Sequence, residues 1–274
     1  MPQVIHRSIV RRVGTASRSL LSAQWARLGG GFAVEPSGDR VDLERLLVES
    51  AGAAPNDARL FAVTTSWLAV HGKFVNVRRL GRLIEAVRHR QSSDDQLTVA
   101  VLGAMVEVSI TLAPSMASLR AAQSHCRPLS APRPLFERFT ENAALTQMAR
   151  EECLPAFSAW GLWHNTITDK RDAVRPVTWL LRACPELHMR SLFGADLAAD
   201  IMEVVRSQPT TIADLVRTTG ATAPAVHETV ANLQARGLVV RPRTGYRKHV
   251  RVAPATARLL MRTMLRPMTA RSKH

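Results

Sequence analysis

Cysteine is scarce in this sequence of 274 residues, and the three that occur, Cys126, Cys153 and Cys184, form no CxxC pair. Their wide spacing argues against a disulfide framework and a cysteine-rich zinc site, so we expect free thiols in a reducing compartment. Aromatic residues are also few, at 5% of the chain, whereas 46% of its residues are hydrophobic. A chain of this length and composition is expected to be globular and to bury a sizeable core without disulfides.

Long hydrophobic runs are almost absent. The one stretch that resembles a membrane span, residues 97–113, is short for a bilayer and carries Glu107 in its second half. We therefore predict a buried helix here and expect no membrane partner and a cytoplasmic protein.

The motifs of common enzyme classes are missing. The chain has no GxxxxGK[ST] phosphate loop, no GxGxxG dinucleotide loop and no GxSxG nucleophile elbow. His227-Glu228 begins like the HExxH zinc motif, but Ala231 stands where the second histidine is needed. We accordingly expect no enzyme, no metal site and no cofactor.

Acidic residues are absent from both ends of the chain. The net charge is +15, yet all acids lie between Glu35 and Glu228. Residues 1–34 hold five arginines, residues 229–274 hold eleven basic residues, and the stretch between them is nearly neutral. Such ends are suited to a polyanion, and nucleic acid is the commonest polyanion that a soluble protein meets.

The amino-terminal stretch 1–34 is predicted to be a flexible basic arm that ends in a hinge at Gly29-Gly30-Gly31. Its arginines, serines and lack of acids also fit an organelle transit peptide, an alternative that the sequence leaves open.

Residues 35–185 have the pattern of a helical domain. Apolar residues recur at helical spacing in helices expected near 41–48, 57–71, 77–87 and 96–112, and a proline-rich connector, 127–134, precedes a second helical stretch over 135–183. Trp160, Trp163 and Trp179 could stack on bases or a ligand, but at this spacing we interpret them as core residues. We expect His164 and His188 to be structural.

Residues 186–274 have a different pattern, and its clearest part runs from 191 to 252. One helix over 192–206 is followed by a short helix that Thr210 or Thr211 can cap, a turn at Gly220, and a third helix with Thr222 as its cap. Gly237 ends the third helix, and two extended runs follow, 238–241 and 246–252, whose connection has hairpin chemistry. A basic helix, 254–268, comes last.

This order of elements resembles the winged helix-turn-helix of bacterial transcriptional regulators of the MarR, ArsR and PadR kind. The most specific part is Gly220 to Val226 followed by Leu233 to Val239, which is similar to the turn, the recognition helix and the entry to the wing. The resemblance implies DNA binding as a dimer, with the third helix in a major groove. The fold class we predict is mainly α, with a multi-helix domain, a winged helix with a short β-hairpin wing, and a terminal helix.

The candidate DNA-binding residues follow from that resemblance and from the basic charge after Glu228. The recognition helix, about 222–236, is unusual because its exposed first turns offer alanine, histidine and glutamate, whereas the wing, about 239–252, is strongly basic. The candidates are Thr211, Thr222, Ala223, Ala225, His227, Glu228, Arg236, Arg241, Arg243, Arg247, Lys248 and Arg251.

The function predicted from the sequence is that of a DNA-binding transcriptional regulator, a repressor that acts as a homodimer on double-stranded DNA at the nucleoid. The helical domain would provide dimerisation or bind a protein partner or a small effector. Leu259, Leu260, Met264 and Leu265 offer an alternative dimer surface, unless the terminal helix packs on its own domain. The alternative function is a protein-interaction adaptor, or an antitoxin-like defence component, whose winged helix binds a partner protein.

Overall fold

The structure is a computed structural model, and it describes residues 19–241 and 249–264. The chain divides into two compact units, Met1–His188, the N-unit, and Met189–His274, the C-unit. In the described part both units are mainly helical, with two small two-stranded sheets, which confirms the predicted fold class.

The first helical residues of the N-unit, α1, are 19–27. The side chain of Trp25 is fully buried, its indole donates a hydrogen bond of 2.8 Å to Ser50 Oγ, and its ring meets that of Trp67 edge-on at 5.4 Å. The flexible arm expected over 1–34 is therefore wrong for 19–34, because apolar residues of this stretch belong to the core. Residues 1–18 lie outside the described residues.

The predicted hinge at Gly29-Gly30-Gly31 is also wrong, because these glycines are sites of close packing. Gly29 has a φ of 76°, and a Cβ added there would lie 2.8 Å from the Cβ of Arg175. A Cβ on Gly31 would lie 2.7 Å from that of Ala173. Glycine is needed here for contact between two segments rather than for motion.

Four longer helices form the main body of the N-unit, and each begins at a polar cap that the sequence offers. Asp42, Asp57, Asn76 and Ser92 each accept a hydrogen bond from the backbone N–H three residues on. The helices are α2 (Leu43–Ala53), α3 (Ala58–His71), α4 (Val77–Arg88) and α5 (Ser93–Leu112).

Helix α5 packs against α2, α3 and α4, and eleven of its residues are buried. Among the described helices it alone has the length and composition to cross a membrane, but 61% of its most apolar window is buried inside the protein. The prediction of a buried helix at this position is confirmed.

The rest of the N-unit is made of shorter pieces. Its α-helices are α6 (Arg120–Gln123), α7 (Glu137–Thr140), α8 (Ala143–Glu151), α9 (Pro155–Ser158) and α10 (Val177–Ala183). Short 3₁₀ helices lie at Ala54–Asn56, Gly72–Phe74, Pro114–Leu119, Arg171–Ala173 and Pro185–Leu187.

The proline-rich connector does not separate two halves as expected. Its last residues form a strand, β1 (Arg133–Pro134), that pairs in parallel with β2 (Leu162–Trp163). One hydrophobic core contains buried residues from both sides of the connector, from Leu21 to Leu187. The strands have two residues each and one contains proline, so no alternation of polar and apolar residues could have indicated them.

The C-unit contains a compact three-helix core and a small sheet. Its helices are α11 (His188–Phe193, beginning one residue before the unit), α12 (Leu197–Ser207), α13 (Ile212–Thr219), α14 (Ala223–Ala235) and α15 (Pro254–Met264). Its strands are β3 (Val239–Val240) and β4 (Arg251–Val252).

The single helix predicted over 192–206 is in fact two helices. Gly194 has a φ of 86°, which a helix cannot contain, and Asp196 accepts a hydrogen bond of 3.0 Å from Ala199 N to begin α12. The apolar period continues across the break, which is why the sequence pattern concealed it.

Candidate nucleic-acid interface

Helices α13 and α14 are joined by a turn of three residues. Gly220 takes the left-handed conformation, with φ 64° and ψ 15°, and its N–H bonds to Val216 O at 2.9 Å. The buried hydroxyl of Thr219 donates to Leu215 O at 2.7 Å and accepts from Ala221 N at 3.3 Å. These hydrogen bonds fix the backbone conformation of the turn between the two helices.

The caps of the two helices differ. Thr211 begins α13: its hydroxyl accepts from Asp214 N at 3.2 Å and donates to the Asp214 carboxylate at 2.7 Å. This bond holds the pKa of Asp214 below its ordinary value. Thr222 begins α14 in extended conformation, but its side chain makes no capping bond. The exposed start of α14 therefore offers the Thr222 hydroxyl and backbone N–H groups to an anion, although Pro224 itself contributes no N–H.

The faces of α14 are sharply divided. Val226, Val230 and Leu233 are buried in the core of the C-unit. The opposite face is exposed, and it includes Ala223, Pro224, His227, Glu228, Ala231, Asn232 and Ala235. Ala225, predicted to contact DNA, is half-buried. The helix has no lysine or arginine between residues 223 and 235, so phosphate binding by this face would rest on its amino-terminal end.

A two-stranded ladder follows α14, and a single residue that precedes α13 adds one bridge to it. Val239 pairs with Val252 and Val240 with Arg251 in the antiparallel β3–β4 ladder, and Thr210 forms a bridge to Val250 with bonds of 3.1 and 2.8 Å. Cross-strand partners share a face, so the exposed side chains of Val240 and Arg251 lie on the solvent side of this sheet. The strand position at Thr210 was not predicted, because one residue gives no sequence pattern.

The arginines of the C-unit fall into two groups. Those before α14 are neutralised: Arg190 pairs with Asp200 at 3.0 Å, Arg206 with Glu203 at 2.8 Å, and Arg217 with Asp214 at 2.5 Å. Within the described residues, no ion pair involves the later arginines, which are Arg236, Arg241, Arg251 and Arg258. The positive charge available to a ligand therefore lies after α14.

Most predicted interface residues are accessible, but three cannot be placed. Arg243, Arg247 and Lys248 lie outside the described residues. The exposed polar residues that were not among the predictions include Asn232, one helical turn after Glu228, and Arg258 on α15. Helical spacing from Glu228 was the available signal for Asn232.

The N-unit has a separate cavity of about 510 Å³. It lies between residues 29–36 and 172–179, and the partly buried ring of Trp179 forms part of its wall.

The other candidate functional residues of the N-unit are structural. Trp160 and Trp163 pack against the hydrophobic core as expected. Cys126 and Cys184 are buried, which raises the pKa of each thiol to about 12. Among the described residues no group of three metal-ligating side chains occurs.

The C-unit is thus a winged helix-turn-helix: three helices, a tight turn, and a small sheet that continues from the third helix. The model of the MarR family matches residues 196–247, which span α12, α13, α14 and the start of the wing. No curated protein and no solved structure matches the chain. The family match supports a DNA-binding domain of a transcriptional regulator, a class that is typically not enzymatic and is commonly dimeric.

Proposed function

We propose that the protein is a repressor that binds double-stranded DNA through its C-unit. In this proposal the two units are the helical domain and the DNA-binding domain that the sequence predicts over 35–185 and 186–274. The observation that carries the proposal is a helix-turn-helix in a unit whose described arginines lack an ion pair only after α14, within a stretch that contains no acid.

We expect α14 and the wing to make different contacts with DNA, because α14 carries no lysine or arginine and the wing is basic. Residues 222–236 would enter the major groove, with the Thr222 hydroxyl and the start of α14 near a phosphate. His227, Glu228 and the exposed alanines would lie against base edges, where glutamate accepts from cytosine and alanine contacts a thymine methyl. Arg236, Arg241 and Arg251 would bind phosphates, and Arg243, Arg247 and Lys248 extend this charge on the evidence of sequence alone.

Binding to a duplex of random sequence at two salt concentrations tests this proposal. If about five basic residues neutralise phosphates, affinity should fall by more than a hundredfold between about 50 and 200 mM salt. Binding that does not depend on salt, or no binding at the lower salt, would contradict the proposal.

The N-unit would control this binding. We propose that it contributes to self-association or binds a protein partner or a small effector, and the cavity beside Trp179 supports the last of these. A small molecule that occupies the cavity should change the fluorescence of Trp179 and the affinity for DNA together. A Trp179→Phe variant should lose the fluorescence response at this position.

The adaptor alternative is favoured by one observation, the lack of basic residues on the exposed face of α14. In that case a protein partner would cover Ala223, Glu228 and Ala231, and the duplex would bind weakly or not at all. Replacing Ala231 with arginine distinguishes the DNA-binding function from the adaptor function. The added charge should strengthen binding to DNA, whereas the larger side chain should disrupt a protein interface that needs a small residue there.

A further inference from the structure

A second concentration of basic residues lies in the N-unit. Residues 73–90 contain six lysines and arginines and a single acid, Glu85, although residues 35–228 together are nearly neutral. The neutral total therefore conceals a segregation of charge. Helix α4 occupies most of this segment.

The fold turns this charge toward solvent. Leu80, Gly81, Ile84 and Val87 are buried, and α4 packs on α2, α5 and α6. The side chains of Arg78, Arg82, Arg88 and His89 are exposed, and these four residues are called the α4 basic face below. Arg78, Arg82 and His89 follow one another at intervals of four and seven residues, so they form one stripe along the helix.

Several acids near this helix are already engaged elsewhere. Arg79 pairs with Asp42 at 2.5 Å and with Glu44 at 3.1 Å. Asp95 pairs with Arg90 at 2.8 Å, and Glu85 bonds to His125 at 2.8 Å.

Asp42, Glu44 and Asp95 are therefore engaged by arginines outside the face. Glu85, in contrast, lies on α4 itself, three residues from Arg82 and from Arg88, and subtracts one charge from the face. No ion pair in the described part of the chain involves Arg78 or Arg88. Arg88 donates to the backbone oxygen of His125 at 3.4 Å, a bond that brings no negative charge to it.

We propose that the α4 basic face is a second contact surface for the phosphate backbone of duplex DNA, outside the winged helix. The inference rests on the proposed function, since it assumes that the chain binds DNA. Arginine suits this role because its planar guanidinium donates two parallel hydrogen bonds to a phosphate.

The surface fits a polyanion better than a membrane. A helix that lies in a membrane interface needs an exposed apolar face, and the apolar face of α4 is covered by its own unit. The large apolar side chains that the described residues expose include none from α4. Binding to the phosphate backbone of DNA requires only exposed positive charge.

The test uses the full chain with Arg78→Gln, Arg82→Gln and Arg88→Gln combined. A matched control removes the same charge from scattered exposed arginines on α2, α8 and α10: Arg45→Gln, Arg150→Gln and Arg182→Gln. The α4 variant should bind duplex DNA at least tenfold more weakly at about 100 mM salt, and its slope of log affinity against log salt should be smaller by about 2 to 3. The control should change both far less.

A conservative variant guards against misfolding. Arg78→Lys, Arg82→Lys and Arg88→Lys keep the charge and should retain most of the affinity. Equal losses in the α4 variant and the scattered control would overturn the proposal. So would a loss of binding to vesicles of anionic lipid with unchanged binding to DNA.

A third variant distinguishes failure of this inference from failure of the proposed function. It combines Arg236→Gln, Arg241→Gln and Arg251→Gln in the C-unit. If this variant weakens binding and the α4 variant does not, the inference fails and the proposed function stands. If only the α4 variant weakens binding, the winged helix is not the DNA-binding surface. If wild-type protein does not bind duplex DNA, both proposals are wrong.

Discussion

At the scale of single residues, Gly220 shows how a local conformation fixes the candidate interface. Its left-handed backbone allows α14 to leave the turn in a new direction, and a Cβ added there would meet no atom within 4 Å. The glycine is thus required by conformation rather than by lack of space.

We expect Gly220→Ala to destabilise the C-unit by about 1–2 kcal/mol and Gly220→Asn to cost less, because asparagine adopts the left-handed conformation more readily. All five tryptophans lie in the N-unit, so their fluorescence reports that unit alone. Urea unfolding followed by circular dichroism should show an earlier transition in Gly220→Ala, with tryptophan fluorescence unchanged. Equal stability of the alanine variant and wild type would contradict the role given to this turn.

His164 is a buried histidine of the N-unit whose protonation should destabilise the fold. Its imidazole lies 4.9 to 5.9 Å from the rings of Phe136, Phe157 and Phe139, and its Nδ1 has no hydrogen-bond partner among the described residues. Burial, together with the charge of Arg138, lowers the pKa of His164 from 6.5 to about 4. The folded N-unit therefore favours the neutral imidazole.

The pH dependence follows from the direction of this shift. The stabilisation is complete above pH 6.5, where the unfolded histidine is neutral, and is lost as the pH falls toward 4, at a cost of about 2–3 kcal/mol. His164→Phe should make the urea midpoint measured by tryptophan fluorescence less sensitive to pH between 7.5 and about 4.5. His71, whose pKa is also lowered by burial, should retain part of the effect. An unchanged pH dependence in the variant would show that His164 is not the group responsible.

At the scale of elements, a helix could be predicted where a capping residue in the sequence is followed by apolar residues at helical spacing. Helices α2 to α5, and the order α13, turn, α14, β3, follow signals that the sequence carries locally. The break at Gly194, the bridge at Thr210 and the pairing of β1 with β2 could not be predicted, because they depend on partners distant in sequence or on a single backbone angle.

The candidate site likewise combines features that local sequence predicts with features that depend on distant partners. The exposed face of α14 could be predicted from helical spacing. The pairing of Arg190, Arg206 and Arg217 with acids required the structure, and within the described C-unit it leaves arginines without an ion pair only after α14.

Helix α14 also supports a prediction about specificity. Glu228 is exposed on the face opposite Val226 and Val230, so in the major groove it would repel phosphate and accept from a cytosine amino group. We expect Glu228→Gln to raise affinity for random duplex DNA and to change the preference at one base position, measured by selection of binding sites. His227→Gln changes a neighbouring residue of the same face without removing an acid, so it should not raise the affinity for random duplex DNA. If Glu228→Gln changes neither quantity, α14 does not lie in the major groove.

At the scale of the whole molecule, the proposed self-association would need a surface that the described residues leave exposed. Leu260 is buried in the core of the C-unit, so the dimer stripe expected on the terminal helix is wrong for this residue. Leu259 is 65% exposed, and Met264 and Leu265 have no described side chains.

If α15 forms the dimer contact, Leu259→Lys should yield a monomer in sedimentation velocity at micromolar concentration. Leu192→Lys is a matched control, since Leu192 belongs to the same unit and is 52% exposed. Loss of the dimer only in the Leu192 variant would place the contact near α11, and a dimer in both variants would place it in neither position.

The central claim is that the arginines after α14 bind the phosphates of duplex DNA, and the salt dependence of affinity tests it most directly. The measurement is the slope of log affinity against log salt for wild type and for the combined variant Arg236→Gln, Arg241→Gln, Arg251→Gln. Each lost phosphate contact should reduce the slope by about 0.9, so the account predicts a reduction of roughly 2.7 with weaker binding to every sequence. An unchanged slope in the variant would contradict the account.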